Sequence, residues 1–216
     1  MSANKKSAKD VIKPLSIEEA SKRANEIGLP GQSQLASTLN DAELPATEGG
    51  LSSLNVFRVF LHHPALAKAL ADTLMMLLGN GNVLDPRLRE LIIMRIGWQT
   101  GSNYEWTQHW KVALIFGCTE EELRGLRSDW KQITSLNEAD RAVLTATDDM
   151  LEHGRVLPET LHLIKEHVGA EDQMLEVVAA ICNWRTFSQL LLTFEVELEE
   201  GVESWPPDGL VPSNAP

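Results

Sequence analysis

The chain has 216 residues, 43% of them apolar and 23% charged, so it is long enough to bury a core and one domain is the default. A formal charge of −12 argues against general affinity for nucleic acid or anionic lipid, which need a basic surface. An anionic substrate would have to be drawn in by a local arginine, against the overall field. No apolar run approaches membrane-spanning length, and no apolar stretch follows Lys5, Lys6 and Lys9 to make a secretory signal. Cys118 and Cys182 lie too far apart in sequence to read as a disulfide framework, so a reducing, cytoplasmic setting is expected.

Residues 1–50 are polar and broken by Gly28, Pro30, Gly31, Pro45, Gly49 and Gly50, the pattern of an arm with one short helix. That helix is expected to start near Ser16, where Ser16-Ile17-Glu18-Glu19 is a start signal. From Leu54 onward the periodicity is helical. Asn55 to His63 is one amphipathic stretch, Pro64 opens another that reaches Leu78, and Gly79-Asn80-Gly81-Asn82 is a turn. Asp85-Pro86 supplies a cap and a first-turn proline for a helix to Gln99, broken by Thr100-Gly101. Ser102-Asn103-Tyr104-Glu105 reads as a capping box for a helix that stops at Gly117, and Thr119 with Glu122 reads as a second box. Asn137 to His153 and Pro158 to His167 follow, with Gly154 and Gly169 as stops. Glu171 to Glu200 is expected as one long helix, with an irregular tail over 201–216. No strand alternation appears. The expected class is all-α, with a helical domain over 51–200 between the arm and the tail.

The stretch from Arg87 to Gly117 carries the chemistry. Its first helix holds Leu88, Leu91, Ile92, Ile93, Met94 and Ile96 and is apolar on nearly every face, so it belongs in a core or an oligomer interface. Glu90 and Arg95 lie inside it. A carboxyl drawn out of water favours its neutral form unless a cation or several donors compensate, and such tuned carboxyls serve general acid–base chemistry. The alternative is a structural carboxylate tied to a backbone amide or an arginine. On the second helix Glu105 and His109 are four residues apart and share a face, so Glu105 could orient the imidazole; the same spacing is common on solvated faces. Trp98, Tyr104, Trp106 and Trp110 cluster around them, as a packed interface or as the wall of an apolar pocket.

Arg89-Glu90-Leu91-Ile92, Arg95, Tyr104-Glu105-Trp106, His109, Ala113 and Gly117 resemble the core motif of the carboxymuconolactone decarboxylase and AhpD-like superfamily. That motif has a glutamate, then a CxxC pair, then a histidine four residues past the second cysteine. Glu90 matches the glutamate and His109 the histidine, while Ser102 and Glu105 stand at the two cysteine positions. The flanks agree: Asn55 to Arg58 with His62-His63-Pro64 on one side, and Asp140 to Glu197 on the other, so the likeness spans residues 50 to 200. The resemblance implies an AhpD-like helical bundle that self-associates as a trimer or hexamer. With no sulfur at either position, a dithiol peroxidase reaction cannot run there.

What the resemblance then implies is a lyase without cofactor or metal, acting on a small oxygenated and possibly aromatic-derived compound. His109 would be the acid–base group, Glu90 and Glu105 its tuning partners, and Arg95 or Arg58 the anchor for a substrate carboxylate. Tyr104, Trp106, Trp98, Phe57, His62 and His63 are further candidates to contact substrate, the two histidines also being candidate caps for the helix opened by Pro64. His153, His162 and His167 read as helix-end residues, and Glu195 to Glu200 as a solvated helix end. A non-catalytic ligand-binding or assembly protein is the competing reading, and a peroxidase using Cys118 and Cys182 ranks last.

Overall fold

Residues 11–34, 50–79 and 81–215 are described in the computed structural model. The helices run in the order α1 Ile17–Ile27, α2 Asn55–Phe60, α3 Pro64–Leu78, α4 Pro86–Thr100, α5 Asn103–Ile115, α6 Glu120–Gly125, α7 Glu138–His153, α8 Pro158–His167 and α9 Glu171–Thr193. Short 3-10 turns at Gly50–Ser53 and Trp130–Gln132 complete the order, and no strand occurs among the described residues. The rest of the expected N-terminal arm, and Asn80 of the expected turn, lie outside the described residues.

Local chemistry sets most boundaries. Pro64, Pro86 and Pro158 each sit in the first turn of a helix, where a missing amide hydrogen costs nothing. Asp85 caps α4 by accepting from Arg87 N at 2.8 Å, and Ser16 caps α1 from Glu19 N at 3.2 Å. Thr119 with Glu122, and Asn137 with Asp140, close reciprocal capping boxes at the starts of α6 and α7. Gly101 and Gly154 adopt the left-handed conformation that ends α4 and α7.

Two expectations about α5 and α9 need correction. Ser102 makes no side-chain cap bond at the start of α5, and Glu105 is turned into the protein rather than back to the helix end. The predicted box is absent because the Glu105 carboxyl is buried away from the backbone amide it would have to reach. The last helix ends at Thr193, not Glu200. Glu195 takes φ +47 and Val196 N bonds Leu191 O at 2.9 Å, the left-handed closure usually left to glycine. Past that break Glu199 turns inward, 7% exposed, and accepts from Tyr104 Oη at 2.6 Å, Asn55 N at 2.8 Å and Gln108 Nε2. The acidic stretch is thus partly a buried tie.

Helix α4 is the axis of the bundle. Every residue from Leu88 to Trp98 is buried, with α5, α7 and α9 packed around it. The single chain achieves this burial, so the all-round apolar pattern needs no partner subunit. Gly97 lets α5 come close: a Cβ there would stand 3.0 Å from Trp106 N. Among the described residues the tail beyond Gly201 has no regular structure, yet it is tied down. Trp205 is 5% exposed, Trp106 Nε1 donates to Pro206 O at 2.8 Å, and Arg127 bonds Asp208 at 2.8 Å and Pro206 O at 2.7 Å.

Candidate functional site

The α4–α5 hairpin brings Glu90 and His109 together. His109 Nδ1 and Glu90 Oε2 are 2.8 Å apart, and the other carboxylate oxygen accepts from Arg89 Nε at 3.1 Å. Glu90 is fully buried and Arg89 is 1% exposed. Arg89 is itself held by the carbonyls of Leu77 and Leu78 at the end of α3, at 3.3 and 3.2 Å, and lies over the Phe116 ring. Two buried opposite charges with added hydrogen bonds are the condition under which an ion pair survives away from water. The His109 side chain keeps 19% of its surface exposed and meets Trp184 edge-on. With Nδ1 donating to Glu90, Nε2 is the nitrogen left to exchange a proton.

Glu105 does not orient His109, as the helical spacing had suggested; Glu90, across the hairpin, does. The Glu105 carboxyl instead sits near Ser188 of α9 and Ser102, neither aligned for a full hydrogen bond, and both its oxygens are buried without a partner. Burial holds this carboxyl well above the usual carboxylate range, and the two nearby serines only partly offset it. Ser188 in turn lies 2.5 Å from Thr100 Oγ1, which bonds Ile96 O at 2.7 Å. With Thr100 donating to Ile96 O, Ser188 is drawn toward Thr100 and its help to a charged Glu105 stays partial.

The two arginines proposed as anion anchors are already committed. Arg95 makes a two-pronged pair with Asp148 at 2.7 and 3.1 Å and donates to Leu126 O at 2.7 Å. Arg58 donates to Leu15 O at 2.6 Å and Asn55 Oδ1 at 2.7 Å, holding the N-terminal segment to α2. Phe57 is core, packed with Phe60 and Phe187. Trp98 and Trp106 stack with Trp110 and Trp205, and the Arg127 guanidinium lies 5.1–5.9 Å from the Trp98, Trp106 and Trp110 rings. They form an internal anchor for the tail, with Trp98, Trp106 and Trp110 buried within the chain. Tyr104 is tied to Glu199 and borders a cleft of about 790 Å³ under that tail, together with Ser102. His63 caps α3 by accepting from Leu66 N, and His62 meets Lys13 O at 2.9 Å. Both are explained structurally.

Arg89, Trp184, Thr100 and Ser188 were not singled out by spacing. Only Arg89 carried a signal, as a cation beside Glu90 in an otherwise apolar helix. Cys118 is buried, its thiol pushed up to about 12 chiefly by burial, and Cys182 is exposed; both are free. No cluster of three or more His, Cys, Asp or Glu side chains suited to a metal ion occurs among the described residues. No helix among them is long and apolar enough to cross a membrane.

Comparison with known proteins agrees with this architecture. The debrominase Bmp8 bound to 2,3,4-tribromopyrrole has 15% identity and a TM-score of 0.66 over 88% of this chain and 92% of its own. A putative antioxidant defence protein AhpD from Agrobacterium tumefaciens has 18% identity and a TM-score of 0.57 over 64% of this chain and 93% of its own. A peroxidase-related protein from Silicibacter sp. TM1040 has 10% identity and a TM-score of 0.62 over 69% and 78%. At such identities these structures speak to fold alone. No curated protein matches the sequence. Residues 64–149, from the start of α3 through most of α7, match the carboxymuconolactone decarboxylase family. Over that segment the chain is similar to the carboxymuconolactone decarboxylase family, within an AhpD-like all-helical fold that carries Ser102 and Glu105 where the AhpD-like motif has its cysteines.

Proposed function

We propose that the protein is a cofactor-independent lyase that moves a proton with His109, on a small oxygenated compound of aromatic-derived size. The observation that carries this reading is the buried Glu90–His109 contact at 2.8 Å, which fixes the imidazole and leaves Nε2 as its proton-exchanging atom. In a decarboxylation the bond to the leaving carboxylate breaks and its electron pair spreads into an adjacent unsaturated system. Protonated His109 then delivers a proton from Nε2 to carbon, and Glu90 stabilises the charged imidazole before that transfer. Glu105, one helical turn away and kept neutral, is a second proton reserve. The size class is supported by Bmp8, whose bound ligand is a small halogenated heteroaromatic. Self-association and a cytoplasmic setting belong to the same proposal.

One observation favours the competing reading of a non-catalytic binding protein: Arg58 and Arg95 are spent on the chain itself, so neither is free to anchor an anion at the dyad. A thiol peroxidase has the least support, since Cys118 is buried and its thiol is held neutral by that burial. The deciding experiment is a mass-change screen of carboxylated lactones and aromatic acids, with sedimentation of the same samples. His109→Ala and Glu90→Gln are expected to abolish any turnover found while leaving helicity and oligomer size unchanged. Full activity in either variant would sink the lyase; binding without turnover would establish the competing reading.

A further inference from the structure

On the flank formed by the end of α4, α7 and α9 lies an open cleft of about 530 Å³ that His109 does not line. Its walls carry Arg95, Gln99 and Thr100 from α4, Asp148 from α7, and Arg185 and Gln189 from α9. Charge is distributed unevenly among them. Arg95 and Asp148 neutralise each other, and Asp148 is also fixed by Trp130 Nε1 at 2.8 Å, so this wall is rigid and electrically quiet. Gln99 completes it when its carbonyl oxygen faces the Arg95 guanidinium, at 2.9 and 3.0 Å, which leaves its amide hydrogens for the cleft.

Arg185 is the exception. It spends a donor on Met150 O at 2.8 Å, and no carboxylate among the described residues comes within ion-pair distance of it. The remaining edge of a planar five-donor group is therefore unspent at the wall of a cavity. The other carboxylate at the rim, Glu152, has a side chain 77% exposed, so water screens its effect on Arg185. The lining holds two arginines against two carboxylates, a neutral local balance in a protein whose overall charge is −12.

We propose that this cleft is a binding site for a small carboxylate, gripped by Arg185 through paired N–H···O bonds and flanked by the amides of Gln99 and Gln189. The fork geometry of guanidinium matches a carboxylate edge to edge, and the preformed Arg95–Asp148 wall keeps ordering cost low. The site is separate from the Glu90–His109 dyad and does not depend on what that dyad does.

The test is thermal melting of the full chain with sodium benzoate, benzamide or sodium phosphate at matched ionic strength. Benzoate is expected to raise Tm in a concentration-dependent way, benzamide not at all, and phosphate less than benzoate. Arg185→Lys, which keeps the charge but loses the fork, should weaken benzoate binding about tenfold. Arg185→Gln should abolish it. Because Arg185 also holds Met150 O, Gln189→Leu serves as a variant that leaves that bond intact, and it should weaken the shift as well. His109→Gln should leave the shift unchanged. No benzoate shift, an undiminished shift in Arg185→Gln, equal shifts from benzamide or phosphate, or loss of the shift in His109→Gln would each overturn the proposal.

Discussion

The second turn of α4 and the first turn of α5 each hold a glutamate out of water, and their surroundings differ in kind. Glu90 has an arginine on one oxygen and a histidine on the other, within a shell of backbone carbonyls that fixes the arginine. Glu105 has two serines at imperfect geometry and no cation. The first region solves burial by pairing charges, the second by giving the charge up. The difference teaches which atoms the fold can spare. Removing Glu90 strands its partner, whereas removing Glu105 strands nothing.

The largest expected effect follows directly. Glu90→Leu leaves Arg89 charged, 1% exposed and without a counter-ion, and should cost about 3–5 kcal/mol in chemical denaturation. Glu105→Leu orphans no charged partner and should be neutral or stabilising, since burying an unpartnered polar group was itself unfavourable. Equal losses at the two positions would erase the contrast, and a larger loss at Glu105 would reverse it.

The same contrast predicts a pH dependence confined to one residue. Burial raises the folded-state pKa of Glu105 above 4.5, its ordinary value, so above that pH the folded protein holds a proton that the unfolded chain has released. Stability from this group is therefore complete below the ordinary carboxyl range and declines as pH rises toward the folded pKa. The slope for one proton is about 1.4 kcal/mol per pH unit. Glu105→Gln keeps the shape and cannot titrate. Its unfolding free energy relative to the wild type should improve steadily from pH 5 upward, the other carboxyls cancelling in the difference. A gap that stays flat with pH would show Glu105 ionised in the fold and remove it as a proton reserve.

Much of the bundle could be read from sequence because the signals are local. Pro64, Pro86 and Pro158 lie in the first turns of their helices, and the α4 pattern marks burial without knowledge of its neighbours. The pairing of Glu90 with His109 came from a family register, not from spacing, since the two residues lie on different helices. What spacing offered, Glu105 beside His109 on one face, placed neighbours on a helix but could not say that a carboxyl on the other helix of the hairpin would win. Arg95 and Arg58 looked like free cations because their partners, Asp148 and Leu15, sit 53 and 43 residues away. Glu199 looked solvated for the same reason: it is reached by Tyr104, 95 residues distant. Such partners are decided by packing, and packing leaves no trace in a window of one helix.

The smallest expected effect tests how the start of α5 is built. Ser102 and Thr119 have the same sequence signature, a hydroxyl followed three residues later by glutamate. Thr119 accepts from Glu122 N at 3.2 Å, and Glu122 returns the bond to Thr119 N at 2.8 Å. Ser102 makes no such bond, because Glu105 has been drawn inward and the Ser102 hydroxyl is buried with it. Thr119→Ala should therefore cost about 1 kcal/mol, the ordinary worth of a cap. Ser102→Ala should change stability by no more than a few tenths, since the hydroxyl it removes lacks a hydrogen-bond partner. If the two losses prove equal, Ser102 caps α5 in solution and the carboxyl of Glu105 reaches back to the helix end. The proton reserve proposed for Glu105 would then be lost with it, and Glu90 would stand as the only carboxylate serving His109.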